Sequence, residues 1–198
     1  MRIAVFWFFA FALGSLPTAY WFAKRLKGVD IRTQGSGNVG ATNAFRVLGK
    51  GPGLLVFALD FMKGWLPVFL FLNAQKGPSG TGAETAALGV GIAAMLGHIF
   101  TPFLGFKGGK GVATGAGVLL AFSPGLWALS LAIWGLIFWL TRTVSLASLG
   151  AIVSLAPLSF FFKKEYSTVS VFGILFLLVL WTHRENLKRL YLGVERKL

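Results

Sequence analysis

Residues 111–141 read GVATGAGVLLAFSPGLWALSLAIWGLIFWLT, a run of 31 residues without a charge. A bilayer core about 30 Å thick takes roughly 20 apolar helical residues per crossing, so the run is too long for one helix and short for two. Its middle, Ser123-Pro124-Gly125, is a strong turn signal, and the run divides there into a short span (111–122) and a fuller one (125–141). Working outward, the intervals between charges supply further crossings: 3–23, 85–106, 143–162 and 166–183. Residues 51–75 form another, interrupted by Asp60 and Lys63. Seven crossings place 14 of the 19 Lys and Arg on one side, with Arg2, Lys76, Lys163 and Lys164 opposite and Lys63 within a span. A single crossing over 111–141 would instead divide them 10 to 8. The positive-inside rule favours the lopsided arrangement. The expected fold is an all-α integral membrane protein of seven transmembrane helices, N-terminus outside and C-terminus cytoplasmic, forming one polytopic domain over 1–198.

Composition excludes the other broad classes. Hydrophobic residues make up 56% of the chain and charged ones 13%, about half the usual charged share of roughly 25%. So few charges can neither cover a soluble surface of this size nor keep a chain disordered. The formal net charge of +13, in an oily chain, points to an anionic membrane face or anionic ligands and not to nucleic acid. No cysteine is present, which excludes disulfides, thiolate metal sites and cysteine nucleophiles together. Arg2, an apolar run and Ala10-Phe11-Ala12 have the outline of a signal peptide. Cleavage there would leave a stub too short to span, so the segment is expected to remain.

On this topology the segments 24–50, 105–111, 141–148 and 183–198 share the cytoplasmic side, whereas the opposite loops are brief and chemically plain. The active site is therefore expected on the cytoplasmic face, assembled from several loops. The first stretch reads GSGNVGATNAFR, residues 35–46. Gly35, Gly37 and Gly40 match G-x-G-x-x-G in form, but the dinucleotide fingerprint needs a preceding strand and a βαβ unit, and here an apolar helix precedes it. The physical content survives: glycine backbone can converge on an anion, while Ser36, Asn38, Thr42 and Asn43 add polar groups. Arg46 supplies a fork matched to phosphate or carboxylate. A flexible Gly-rich connector is the plainer alternative.

The second stretch, GHIFTPFLGFKGGKGVATGAG, covers 97–117. Lys107, Gly108, Gly109, Lys110 and Gly111 stand at the mouth of the short helix, where glycines, a point charge and a helix N-terminus make a phosphate cradle. No register fits a Walker A loop. A juxtamembrane basic pair attracted to anionic lipid is the competing explanation. His98, within a span, reads as a hydrogen-bonded packing residue. Ser145 and Ser148 open the sixth span, where serines also serve as helix caps. In His183-Arg184-Glu185-Asn186, His183 and Asn186 share a helical face, as do Glu185 and Arg189; a charged, snorkelling helix end is the alternative. Asp60 and Lys63 in LDFMKG lie three apart and can pair within their helix.

Two cradles with cations suit two phosphate-like groups arriving from the cytoplasm. The two His and six carboxylates are scattered without ligand spacing, so neither a metal nor another cofactor is expected. The H-x4-D dyad of common glycerolipid acyltransferases is absent, because Phe103 follows His98 at that spacing and Lys188 follows His183. Without an evident general base, a reaction here calls for a substrate that is already activated, with cations stabilising charge and the cradles positioning the reactants. A transporter for a phosphorylated anion would carry polar residues through the span interiors; here they stop near one face, apart from Asp60, Lys63 and His98.

GSGNVGATNAFR, GHIFTPFLGFKGGKGVAT, SLAS and HREN, in this order among hydrophobic helices and together with LDFMKG, resemble the bacterial acyl-phosphate:glycerol-3-phosphate acyltransferases, the PlsY family. The resemblance implies a seven-helix enzyme of the bacterial inner membrane. It would move a fatty acyl group from acyl phosphate to the 1-hydroxyl of glycerol 3-phosphate, giving lysophosphatidic acid and inorganic phosphate. It also implies that Ser36 and Arg46 are critical in the first motif. By the same resemblance, Gly108, Gly109 and Gly111 with Lys110 would form the glycerol-3-phosphate loop. The resemblance further implies that His183 and Asn186 are the active-site pair of the third motif, with Ser148 nearby and Glu185 structural.

Overall fold

The computed structural model describes residues 2–75, 81–162 and 166–198, and the regular elements among them are all helical. They are α1 (Arg2–Ser15), α2 (Thr18–Lys27), α3 (Ala41–Leu48), α4 (Lys50–Ala74), α5 (Thr81–Ile99), α6 (Val112–Phe122), α7 (Pro124–Thr141), α8 (Val144–Phe161), α9 (Tyr166–Thr182) and α10 (Arg184–Tyr191). The chain divides into two compact units, Met1–Phe122 and Ser123–Leu198.

Five segments are long and apolar enough to cross a membrane: Ile3–Lys27, Lys50–Ala74, Gly82–Leu104, Pro124–Thr141 and Val144–Phe161. A sixth is formed if α9 and α10, bent by 63° at their junction, count as one span. The 111–141 run is two helices, with Pro124 at the first turn of α7, where its missing N–H costs nothing. At 11 residues, α6 rises about 16 Å, roughly half the hydrocarbon thickness. Length alone therefore supports five to six spans among the described residues. Lys76, Lys163 and Lys164, three of the four cations assigned to the opposite face, lie outside the described residues.

In the first unit α1 lies along α5 and α4 along α6. Lipid is as apolar as leucine, so helices in it associate through close packing of small residues. A Cβ on Gly14 would strike the Ala94 carbonyl and one on Gly97 the Phe11 carbonyl; Gly64 and Gly117 stand likewise against Thr114 and Phe61.

Two local features matter for the site. The segment 3–23 is not one helix: it breaks at Leu16-Pro17, between α1 and α2, because proline has no N–H and disfavours helical backbone in the residue before it. The plainer alternative for 35–46, a flexible connector, does not hold, because the 24–50 segment is folded. It contains α3, and Ala19, Ala23, Ile31, Val39, Ala44, Leu48, Val56 and Leu104 form a buried cluster beneath it.

In the second unit α8 packs between α7 and α9. The chain after α10 returns to the start of α8, where the Leu198 N–H donates to the Arg142 carbonyl at 3.0 Å.

Candidate active site

The 28–40 loop is organised by Asn43, which is fully buried on α3. Its Oδ1 accepts the Ser36 N–H at 2.8 Å, and its Nδ2 donates toward the carbonyls of Gln34 and Asn38 at 3.0 Å and of Ile31 at 3.3 Å. The Asn43 amide, expected to face a ligand, is thus taken up by the loop's own backbone; Asn43 shapes the site from beneath. Gly35 and Gly37 take φ of +59° and +72°, the left-handed region that favours glycine. Arg32 pairs with Asp30 at 2.6 Å and lies over the Tyr20 ring. The Arg32 hydrogen bonds hold the Asp30 carboxyl at about 2. Ser36, Gly37, Asn38, Thr42 and Arg46 are half-buried along this rim.

In the second motif, the Gly108 N–H donates to the Ile99 carbonyl at 2.9 Å and the Gly109 N–H to the His98 carbonyl at 3.0 Å. These bonds satisfy carbonyls at the end of α5 that have no intrahelical partner. The expectation that these two N–H groups cradle an anion is corrected accordingly: they cap α5. Glycine is needed here for room. A Cβ on Gly108 would strike the His98 carbonyl, and one on Gly109 would strike His98 Nε2 and approach the Val39 carbonyl to 2.7 Å. Gly111 has φ of +81° just before α6. Lys107 is exposed and Lys110 half-buried.

Beneath both loops lies a buried polar cluster. Lys63 Nζ donates to Asp60 Oδ1 (2.5 Å), the Leu16 carbonyl (2.5 Å) and Thr18 Oγ1 (3.0 Å); the Thr18 hydroxyl donates to Asp60 Oδ1 at 2.6 Å. His98 Nδ1 stands 3.7 Å from the same oxygen. The pairing of Asp60 with Lys63 is therefore present, and the α1–α2 break supports it. Carbonyls freed at the break are taken by Lys63 at Leu16 and by the Thr101 hydroxyl at Ser15 (2.5 Å). A small cavity is bordered by Asp60, Lys63 and His98 from the helices and by Val39, Gly108 and Gly109 from the two loops. The first and second motifs thus meet in the first unit, at Val39 and Gly109.

The second unit holds the remaining motifs. His183, at the bend between α9 and α10, is buried, and its Nδ1 lies 2.8 Å from the Val179 carbonyl. A carbonyl only accepts, so Nδ1 carries hydrogen there, and Nε2 carries the lone pair of the neutral ring. Ser148 donates to the Val144 carbonyl at 2.8 Å and accepts the Trp134 indole N–H at 3.2 Å. Ser145 and Asn186 both donate to Glu195, at 2.9 and 2.5 Å. Arg189 also turns to Glu195, at 2.7 Å, and not to Glu185 as spacing suggests; Glu185 is exposed. Burial alone would raise the Glu195 carboxyl, but hydrogen bonds from Asn186, Arg189 and Ser145 outweigh it and hold the group below its ordinary value. Sequence reasoning missed Glu195, Thr18 and Thr101. An acidic residue in an otherwise basic tail was the available signal for the first.

The fold and these motif-bearing loops define an integral membrane protein whose polar chemistry is built on loops and helix ends. The family model for glycerol-3-phosphate acyltransferases matches residues 4–193. A glycerol-3-phosphate acyltransferase of Deinococcus radiodurans is 46% identical, covering 96% of this chain and 92% of the relative; one of Aquifex aeolicus is 44% identical, covering 96% and 95%. Crystal structures of PlsY, an integral membrane glycerol 3-phosphate acyltransferase, in glycerol 3-phosphate and lysophosphatidic acid forms superpose with TM-scores of 0.91 and 0.89. Each is 40% identical, with 100% of this chain and 96% of the other covered. The chain belongs to the glycerol-3-phosphate acyltransferase family.

Proposed function

We propose that this acyltransferase uses acyl phosphate as donor and the 1-hydroxyl of glycerol 3-phosphate as acceptor, releasing lysophosphatidic acid and inorganic phosphate. The observation that carries this reading is the junction of two glycine motifs at Val39 and Gly109. Each motif bears a cation, Arg46 on α3 and Lys110 ahead of α6. Two phosphate-bearing substrates call for two such cations. Arg46 offers a planar fork and Lys110 a point charge. The glycerol hydroxyl oxygen attacks the acyl carbonyl carbon, the bond from that carbon to the phosphate oxygen breaks, and the departing phosphate takes the hydroxyl proton. Lys110 and Arg46 stabilise the charge that gathers on the leaving group. Ser36 completes the first cradle with Gly37, Asn38 and Thr42; Lys107 and Gly111 flank Lys110; His183 and Asn186 orient the glycerol moiety, with Ser145 and Ser148 beside them. No metal or cofactor takes part. The single family model over 4–193 supports treating 1–198 as one catalytic domain. The sided distribution of cations supports seven crossings with the chemistry on the cytoplasmic face.

Purified protein in detergent, given palmitoyl phosphate and glycerol 3-phosphate, is expected to form lysophosphatidic acid. Lys110→Ala and Arg46→Ala are each expected to lower turnover by 100-fold or more, about the loss on removing one charge-stabilising donor. Normal turnover in either variant overturns its assignment. Product formed without any compartment also excludes a pure transport role.

A further inference from the structure

Glu195 lies outside every motif, yet its carboxylate is the point where the motif-bearing stretches of the second unit meet. Oε1 accepts the Ser145 hydroxyl at 2.9 Å and the Asn186 amide at 2.5 Å, and Oε2 accepts Arg189 Nε at 2.7 Å. The side chain is only 8% exposed, and Ser145 lies 50 residues away in sequence. An ionised carboxylate accepts and never donates. The Asn186 amide must therefore turn its NH2 toward Glu195, which sends Oδ1 to the opposite edge of the amide plane. A Ser145 hydroxyl bonded in this way has spent its hydrogen and offers lone pairs only. Arg189 supplies a counter-charge, which tempers the repulsion the carboxylate would otherwise exert on an incoming phosphate.

We propose that Glu195 is a positioning residue for acyl transfer: it fixes the Asn186 amide so that Oδ1 is presented as the acceptor for a glycerol hydroxyl. The inference rests on the reading that Asn186 contacts the glycerol moiety. Orientation of this kind acts on turnover, since a group misplaced by about 1 Å can cost 100-fold. The alternative, a tail carboxylate sitting in an anion subsite until substrate displaces it, predicts the reverse effect.

The test compares purified full-length Asn186→Ala, Glu195→Asp and Glu195→Gln in detergent, with kcat and KM measured for each substrate and folding checked by thermal unfolding. Glu195→Asp keeps the charge and loses reach; Glu195→Gln keeps the reach and an acceptor oxygen but loses the charge. Glu195→Asp is expected to fold and to lose roughly 10- to 100-fold in kcat, with KM for the acyl donor unchanged. Glu195→Gln, whose NH2 can donate and so no longer dictates which way the Asn186 amide faces, is expected to lose kcat as well. A normal kcat in either variant overturns the inference and leaves the carboxylate only a charge pair with Arg189. A lowered KM for glycerol 3-phosphate with kcat intact in Glu195→Gln overturns it in favour of a displaced anion. If Asn186→Ala itself turns over normally, the reading beneath the inference fails instead.

Discussion

At Gly109 a side chain is excluded by two different groups, the His98 imidazole and the Val39 carbonyl. The imidazole could turn aside, but the carbonyl belongs to the first motif's backbone, 2.7 Å from where a Cβ would sit. Gly109→Ala is therefore expected to push the two motifs apart. The cost should be about 1–3 kcal/mol, as for overpacking in other tight interiors, read as a lowered unfolding midpoint with a raised KM for glycerol 3-phosphate. An unchanged KM would show that the contact does not set the loop. The glycine itself was legible in KGGKG; its reason was not, because His98 and Val39 are distant in sequence. Glu195 carries a second residue-scale expectation. Its folded carboxyl titrates below the ordinary glutamate value of 4.5, so its contribution to stability is full above that pH. The contribution is lost as pH falls through the lowered folded value. Between pH 6 and 3.5 the unfolding midpoint of the wild type should fall further than that of Glu195→Gln, whose side chain does not titrate. Parallel curves would exclude Glu195 as the titrating group.

The break between α1 and α2 shows how one element's defect becomes another's binding partner. Pro17 ends the helical ladder, carbonyls at Ser15 and Leu16 lose their intrahelical donors, and Thr101 and Lys63 replace them. That arrangement explains an ammonium with 4% side-chain exposure in an apolar helix: Asp60 neutralises it, and a carbonyl and a hydroxyl complete its three donors. The sequence spacing of LDFMKG was enough to read the pair. The break was not read, although Pro17 was its signal, because the hydropathy of 3–23 is continuous across it. Removing one charge should cost far more than removing both, since the survivor would be left buried and uncompensated. Lys63→Met is expected to destabilise the protein by about 3–5 kcal/mol, while Asp60→Asn with Lys63→Met should recover much of that loss. Thermal unfolding in detergent measures both. A double variant no more stable than Lys63→Met would mean that the charges act separately.

At the scale of the whole molecule the decisive quantity is the sidedness of the cations. Helix lengths identify five to six spans, whereas the proposed seven-span arrangement, argued from the sided cations, needs α6 to cross on 11 residues. These disagree because a span of that length needs thinning or shelter from neighbouring protein, which an apolar run does not encode. The chain offers a clean test, since it has no cysteine and each introduced thiol is the sole target of a maleimide. Lys50→Cys and Lys197→Cys, both at exposed positions, flank the disputed run. If 111–141 crosses twice, both thiols lie on the cytoplasmic side and react with an impermeant maleimide only after the cells are opened, while Lys76→Cys reacts from outside. If the run crosses once, Lys197→Cys changes sides and labels together with Lys76→Cys. Labelling of Lys197→Cys in intact cells would therefore remove the seven-span arrangement, and with it the grounds for placing the third motif on the same face as the first two.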